Sequence, residues 1–534
     1  MKKAIIFILV IVSITLIRIP PKYKLPEDEF AFWGCTGDFW TEVNPFSEEG
    51  HIPHIDPKYK VFSKAFYPVK FGYPPLWIVT IASFKSVFNL SNPIIGKLFI
   101  YLIGILGSFS IYYFTKELTN SSEMGLLSAL ILNLSPYYVV WTNITRFMVL
   151  AVPLIPLSLY FLVKSIKESN VKYILLSGIF GSGVLLTHHF SFWPLAATFV
   201  FSSLVLFIYL TFKRKFQKIG KSLLPLIVLF IAIIIGIGFY IEYPFFQNML
   251  QSGWRENSLR STEQYFRFIS PFIIFLLPFG IITSLWKIKN NENRTSILVL
   301  FIWTITTFLG TESSRISDLI GSIIPLNNPL ILNTFVPQTS SRLLVHLSQP
   351  MSIFAILGIF GIWKVIDSLE REKLLKIIAG FLICILISFS IYNSYSVSKK
   401  YTGKGVNNKK WEVIDFICEE LPENASVLTH ISVGEAMIQK CNKQFLAYYT
   451  YARDPNEVYR IRKNILTEKD PKRTWEIAKE YEITHILVNR NRYYVNMYGK
   501  DKKINSEKFK SEYFSNVYKR EIFDIYKVKT QIGA

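Results

Sequence analysis

Between Tyr173 and Phe212 the chain runs 40 residues without an Asp, Glu, Lys or Arg. About 20 helical residues, each rising roughly 1.5 Å, cross the hydrocarbon core of a bilayer, so this run holds two crossings and a turn. Backbone in lipid must satisfy its own hydrogen bonds, which leaves only helices or a closed barrel. Continuous apolarity without a period of two selects helices. Uncharged runs recur at 4–17, 98–115, 124–141, 147–163, 222–241, 268–286, 295–311, 343–363 and 377–397. With 173–187 and 190–212 they make about eleven expected transmembrane helices. A soluble enzyme, a disordered chain and a β-barrel are thereby excluded.

Overall, 51% of residues are hydrophobic and 18% charged. The average hides a division, because 1–398 holds the apolar runs and 399–534 reads as an ordinary soluble segment. A net charge of +21 on one compact face would suggest nucleic acid. Here it is spread over short loops, so the expected partners are membrane lipids and no nucleic acid. Cytoplasmic loops collect Lys and Arg. Placing Lys213, Arg214, Lys215, Lys218 and Lys221 inside also puts Lys2, Lys3, Lys164, Lys167, Lys172, Lys287, Lys289, Arg294, Lys364, Arg371, Lys373 and Lys376 inside. The alternation requires that 75–88, apolar for only 14 residues and interrupted by Lys85, not cross. It is expected to be interfacial or re-entrant. The N-terminus is then cytoplasmic, 4–17 is an uncleaved signal anchor, and residues 20–97 form a first outer loop of more than 70 residues. The C-terminus is extracytoplasmic.

After residue 398 the patterning changes. Residues 411–417 and 473–481 have helical spacing, whereas 425–429, 483–488 and 521–528 read as strands, so 399–534 is expected to be an extracytoplasmic α/β domain. Four cysteines do not make a disulfide scaffold. Cys384 lies in an apolar run. Cys35, Cys418 and Cys441 fall on the outer side, where the chemistry allows a Cys418–Cys441 bridge.

The first outer loop is far longer than a helix connection requires. It concentrates Glu27, Asp28, Glu29, Trp33, Asp38, Trp40, Glu42, His51, His54 and Asp56. Gly37-Asp38-Phe39-Trp40-Thr41-Glu42 has the form of a capped helix start, with Asp38 and Glu42 one turn apart on one face. Asp38 is thus either simply an N-cap or a carboxylate presented for chemistry.

Several motifs occur in a telling order. After the first span come Gly37-Asp38-Phe39-Trp40, Gly50-His51-Ile52-Pro53 and Tyr73-Pro74-Pro75, then Thr187-His188-His189, Ser341-Arg342-Leu343-Leu344, and a tail opening Trp411-x-x-x-Asp415-x-Ile417. Over essentially the whole chain this resembles the GT-C membrane glycosyltransferases that use polyprenyl-phosphate sugars, especially archaeal members with an extracytoplasmic C-terminal domain. The resemblance implies a GT-C-like polytopic fold over 1–398. It also implies a hexosyl- or pentosyltransferase activity, a polyprenyl-phosphate sugar donor and a glycan, lipid or protein acceptor. In that family an acidic residue of the first outer loop is the catalytic base, and by order the position is Asp38. The acidic pair common there is absent at Asp38 but present at Asp28-Glu29, so Asp28 and Glu29 remain alternatives. A single base is chemically sufficient: a polyprenyl phosphate leaves as a stable anion, and only the acceptor hydroxyl must lose a proton.

The donor phosphate calls for a cation at the outer interface. Of Arg146, Arg255, Arg260, Arg267, Arg315 and Arg342, the best placed are Arg342 and Arg146, each at the mouth of an uncharged run. Glu42, Tyr73, His188 and His189 complete the candidate substrate contacts. Adjacent histidines point apart on a helix and do not make a metal site, so no metal ligands are assigned and divalent-metal dependence stays open. Glu312, in another outer loop, is a secondary candidate. Two rival functions are a transporter or flippase for lipid-linked substrates, and a non-catalytic membrane anchor for a binding domain. Against the first stand span interiors nearly free of acids; against the second, the number of spans.

Overall fold

The computed structural model describes residues 75–90, 92–142, 147–214, 216–240, 268–290, 293–312, 343–369, 372–402, 408–429, 444–446, 455–489, 493–495, 501–503, 506–520 and 522–531, with isolated residues between them. These divide into two compact units. One holds Leu76, Trp77 and the helices between residues 94 and 402; the other holds the remainder of the first helix and the residues from 408 onward.

Twelve helices precede residue 403 among the described residues: α1 (Leu76–Phe88), α2 (Asn92–Thr119), α3 (Ser122–Asn133), α4 (Pro136–Thr142), α5 (Ala151–Glu168), α6 (Val171–Thr187), α7 (His189–Phe212), α8 (Leu224–Tyr240), α9 (Pro271–Lys289), α10 (Arg294–Thr311), α11 (Leu344–Asp367) and α12 (Glu372–Thr402). Among the described residues, seven stretches are long and apolar enough to cross a membrane: Ile94–Thr119, Phe190–Phe212, Ile219–Gly236, Pro271–Lys289, Arg294–Thr311, Leu344–Asp367 and Lys373–Val397. The other expected spans differ for physical reasons. The run 124–141 is no straight helix, because α3 and α4 meet at a 78° bend. Pro136 has no N–H to offer and its ring drives Ser135 out of the helical region. Helix α5 carries Lys164, Lys167 and Glu168 within its 18 residues, and α6 has 17. The run 4–17 lies outside the described residues. At 13 residues α1 is too short to span, and the hydroxyl of Ser86 near its end donates to the carbonyl of Ser47 at 3.1 Å.

Helix α11 is the axis of the bundle. Seventy-eight per cent of its apolar window is buried, against α3, α4, α9 and α10 among others, whereas α12 buries only 6% and exposes Phe381, Leu382, Ile385 and Phe389. An apolar helix with such a face is solvated by lipid. Small residues set the tightest approaches. Gly280 of α9 leaves no room for a Cβ against the Phe354 carbonyl of α11, and a Cβ on Gly358 would lie 2.6 Å from the Leu276 carbonyl oxygen. Of the glycines in apolar runs, Gly178 and Gly181 pack against Ile231 and Ala232 of α8.

The second unit is built on a five-stranded sheet in the order β2-β1-β3-β7-β6. Its strands are β1 (Ser426–Leu428), β2 (Gln444–Leu446), β3 (His485–Asn489), β6 (Phe514–Arg520) and β7 (Phe523–Val528); β4 (Tyr493–Val495) and β5 (Asp501–Lys503) pair separately. β1 runs parallel to β2 and β3, while β7 is antiparallel to β3 and β6. Period-two alternation sends Leu487, Phe523 and Ile525 to one core with Trp411, Ile414 and Ile417 of α13 (Asn408–Glu420). Ile486, Val488, Tyr526 and Val528 go to another core, with Ile461 and Ile465 of α14 (Pro455–Thr467) and Ala478 of α15 (Pro471–Glu480). A Cys418–Cys441 disulfide ties α13 to the segment that precedes β2.

Candidate active site

Polar contacts sort the helix ends of the bundle into two groups. At one end the ammonium of Lys167 (α5) meets a Glu117 carboxylate oxygen (α2) at 2.8 Å and the Asn293 side-chain oxygen at 3.4 Å. Lys221 donates to the Ile166 carbonyl at 3.0 Å, and Arg294 bonds the Tyr209 hydroxyl and the Ile288 carbonyl. The ends of α2, α5, α7 and α9 and the start of α10 therefore meet in a zone of lysines and arginines. It contains Lys167, Lys221 and Arg294, which come from three of the basic loops that the sequence places together.

The opposite end has a different chemistry. His188 separates α6 from α7 with extended backbone (φ −162°, ψ 103°) and caps α7. Its Nδ1 accepts from the Ser191 backbone N–H at 3.2 Å and lies 2.7 Å from the Ser191 hydroxyl. That hydroxyl is 2.8 Å from Nε2 of His346, in the first turn of α11. Gln349, one turn on, donates from Nε2 to the Val152 carbonyl at 2.7 Å. His188 is 8% exposed, and Ser191, His346 and Gln349 are fully buried. Among the described residues His346 Nδ1 and Gln349 Oε1 have no hydrogen-bond partner. Nearby chain ends close the same face: the Ser270 and Ser390 hydroxyls are 2.8 Å apart, Ser394 donates to the Leu134 carbonyl at 2.8 Å, and the Tyr265 hydroxyl donates to the buried carboxylate of Glu312 at the end of α10.

Of the residues singled out from sequence, His188 belongs to this cluster and Glu312 to the same face. Asp38, Asp28, Glu29, Glu42, Tyr73, Arg146 and Arg342 lie outside the described residues, as does the side chain of His189. Arg146 directly precedes the 3₁₀ turn Phe147–Val149 that leads into α5, and Arg342 directly precedes Leu343 at the start of α11. Sequence reading missed Ser191, His346 and Gln349. The signal available was the one used for His188, a histidine inside an uncharged run, and His346 sits in 343–363 in the same way. No group of three His, Cys, Asp or Glu side chains able to hold a metal occurs among the described residues.

Residues 73–238 match the family model described as dolichyl-phosphate-mannose-protein mannosyltransferase. No curated protein sequence matches the chain. Among solved structures, the oligosaccharyltransferase of Archaeoglobus fulgidus matches with a TM-score of 0.62 at 10% identity, over 91% of this chain and 69% of that one. AglB from that organism, in complex with an inhibitory peptide and a dolichol-phosphate, matches at 0.61 and 11% identity over 95% and 74%. ArnT from Cupriavidus metallidurans bound to undecaprenyl phosphate matches at 0.54 and 11% identity, over 99% of this chain and 98% of that one. At these identities the likeness is one of fold, and the fold is that of the GT-C glycosyltransferases.

Proposed function

We propose that this chain, a GT-C-type membrane protein with a mannosyltransferase family match at 73–238, transfers a sugar from a polyprenyl-phosphate carrier to an extracytoplasmic glycan, lipid or protein acceptor. The observation that carries the reading is the contrast between the two bundle ends. A buried, hydrogen-bonding cluster occupies the end where the long loops leave the helices, and lysines and arginines crowd the other. A site for a lipid phosphate and a sugar needs fixed polar groups in a dry setting, where each electrostatic contact is strengthened.

In this reading Asp38 takes the proton of the acceptor hydroxyl as its oxygen attacks the anomeric carbon. The carbon–oxygen bond to the carrier breaks, and the electron pair leaves on the polyprenyl phosphate. No proton donor to the leaving group is needed, because the phosphate departs as an anion. Arg342, with Arg146, stabilises that charge from the mouths of α11 and α5, and His188 donates a hydrogen bond on the same face. Glu42 and Tyr73 are further substrate-binding residues in this reading. Asp28 and Glu29 are the alternative bases. The Cys418–Cys441 disulfide supports an oxidising, extracytoplasmic setting for residues 399–534, and with the basic-loop pattern a cytoplasmic N-terminus.

The test is direct. Membranes containing the protein are incubated with a panel of polyprenyl-phosphate sugars, and carrier consumption is followed by mass spectrometry. Consumption of one carrier names the donor; folded protein that consumes none sinks the proposal.

A further inference from the structure

We infer that Ser191 and His346 are positioning residues, which hold the proton of the neutral His188 ring on Nε2 and so set how that ring meets the sugar donor. The inference rests on reading this end of the bundle as the transfer site. The ring nitrogen Nδ1 of His188, which accepts the Ser191 N–H at 3.2 Å, carries no proton, so the neutral ring is protonated on Nε2. The Ser191 hydroxyl, 2.7 Å from the same nitrogen, has only a lone pair to meet there, and its hydrogen must point to His188. Its oxygen then accepts from its other neighbour, His346 Nε2 at 2.8 Å, which must carry a proton. The three groups form a relay with a single direction, from His346 through Ser191 to His188.

Capping does not explain this arrangement. A helix start asks only for a side-chain acceptor, which Ser, Thr, Asp or Asn supplies, and none of them needs a second histidine 155 residues away. In a setting this dry, reversing one member of the relay would set donor against donor or acceptor against acceptor. The chain therefore fixes both the ring plane of His188 and its tautomer. The outcome is a His188 ring of fixed plane and fixed tautomer on the face proposed for transfer.

The test uses full-length protein in nanodiscs, ¹⁵N-labelled at histidine, of which the chain has seven. The His188 signal, assigned by its loss in His188→Asn, is expected to show a protonated Nε2 and a bare, hydrogen-bonded Nδ1. Ser191→Ala should give mixed tautomers, Ser191→Thr should restore the single one, and His346→Gln supplies an independent break if Ser191→Ala does not fold. Affinity for undecaprenyl phosphate, read by native mass spectrometry, should fall about tenfold in Ser191→Ala and in His346→Gln, the loss of one hydrogen bond to a charged group. KM for the carrier should rise by about the same factor, with kcat changed far less. A His188 proton found on Nδ1, or a tautomer and affinity unaltered in both variants, overturns the inference. Wild-type protein that binds undecaprenyl phosphate yet consumes no carrier sugar overturns the transferase reading instead, and the tautomer and affinity results still decide the relay.

Discussion

Among the described residues, the two ends of the helix bundle use their polar side chains in opposite ways. At the basic end Lys167 and Glu117 keep 27% and 21% of their side-chain surface exposed, and the lysines and arginines there bond mainly to backbone carbonyls and to one another's neighbours at helix ends. Such contacts anchor helices and report orientation, and each contributes little. At the other end His188, Ser191, His346 and Gln349 are almost wholly removed from solvent, and every donor direction is constrained. In the proposed reading, net charge marks the face that orients the protein, and the buried cluster marks the face that handles substrate.

The sharpest way to break the comparison is to remove a proton acceptor from the proposed catalytic face. Asp38→Asn retains shape and capping ability but loses basicity, and general-base catalysis typically contributes about 10² to 10⁴ in rate, so transfer should fall at least about 100-fold with expression and donor binding kept. Near-normal turnover would transfer the role to Asp28 or Glu29, to be tested by the same exchange.

A smaller but still severe effect is expected where helices rather than ends are perturbed. Gly280→Ala drives a methyl into the Phe354 carbonyl of the axial helix, a backbone obstacle that cannot rotate away, and should destabilise by about 3 kcal/mol. Gly220→Ala, with nothing within 4 Å of its added carbon, is the control and should leave the thermal midpoint in detergent unchanged.

The sidedness of the comparison is open to labelling. In a background without native cysteines, cysteines at Ser47 and Ser506 should react with an impermeant thiol reagent in intact cells, and one at Gln217 only after permeabilisation. Protection at Ser47 would put the first loop on the wrong side of the membrane for the donor.

The smallest effect belongs to the basic end. Lys167→Met removes the partner of Glu117 and should cost about 1 kcal/mol in a denaturation experiment, with transfer activity unchanged. A large loss of transfer in that variant would erase the functional distinction between the ends.

Much of this architecture is written in local pattern. Uncharged runs locate helices because lipid tolerates no unpaired backbone, and period-two alternation in 485–489 and 523–528 locates strands covered on both faces. The order of basic loops predicts which helix ends meet, since charge is read loop by loop. Other features arise only when distant segments pack. Pro136 announces a break in its helix, yet the 78° turn depends on what α4 packs against. The joining of Cys418 to Cys441 depends on how α13 lies along its sheet. The relay from His346 to His188 has no sequence period at all. Ser191 is one of many serines in apolar helices, and only the approach of α7 to the first turn of α11 brings its hydroxyl between two imidazoles and gives their hydrogen bonds a direction. Periodicity records what each residue needs from its immediate surroundings, whereas a hydrogen bond across 155 residues records which surfaces met, and that is decided by packing alone.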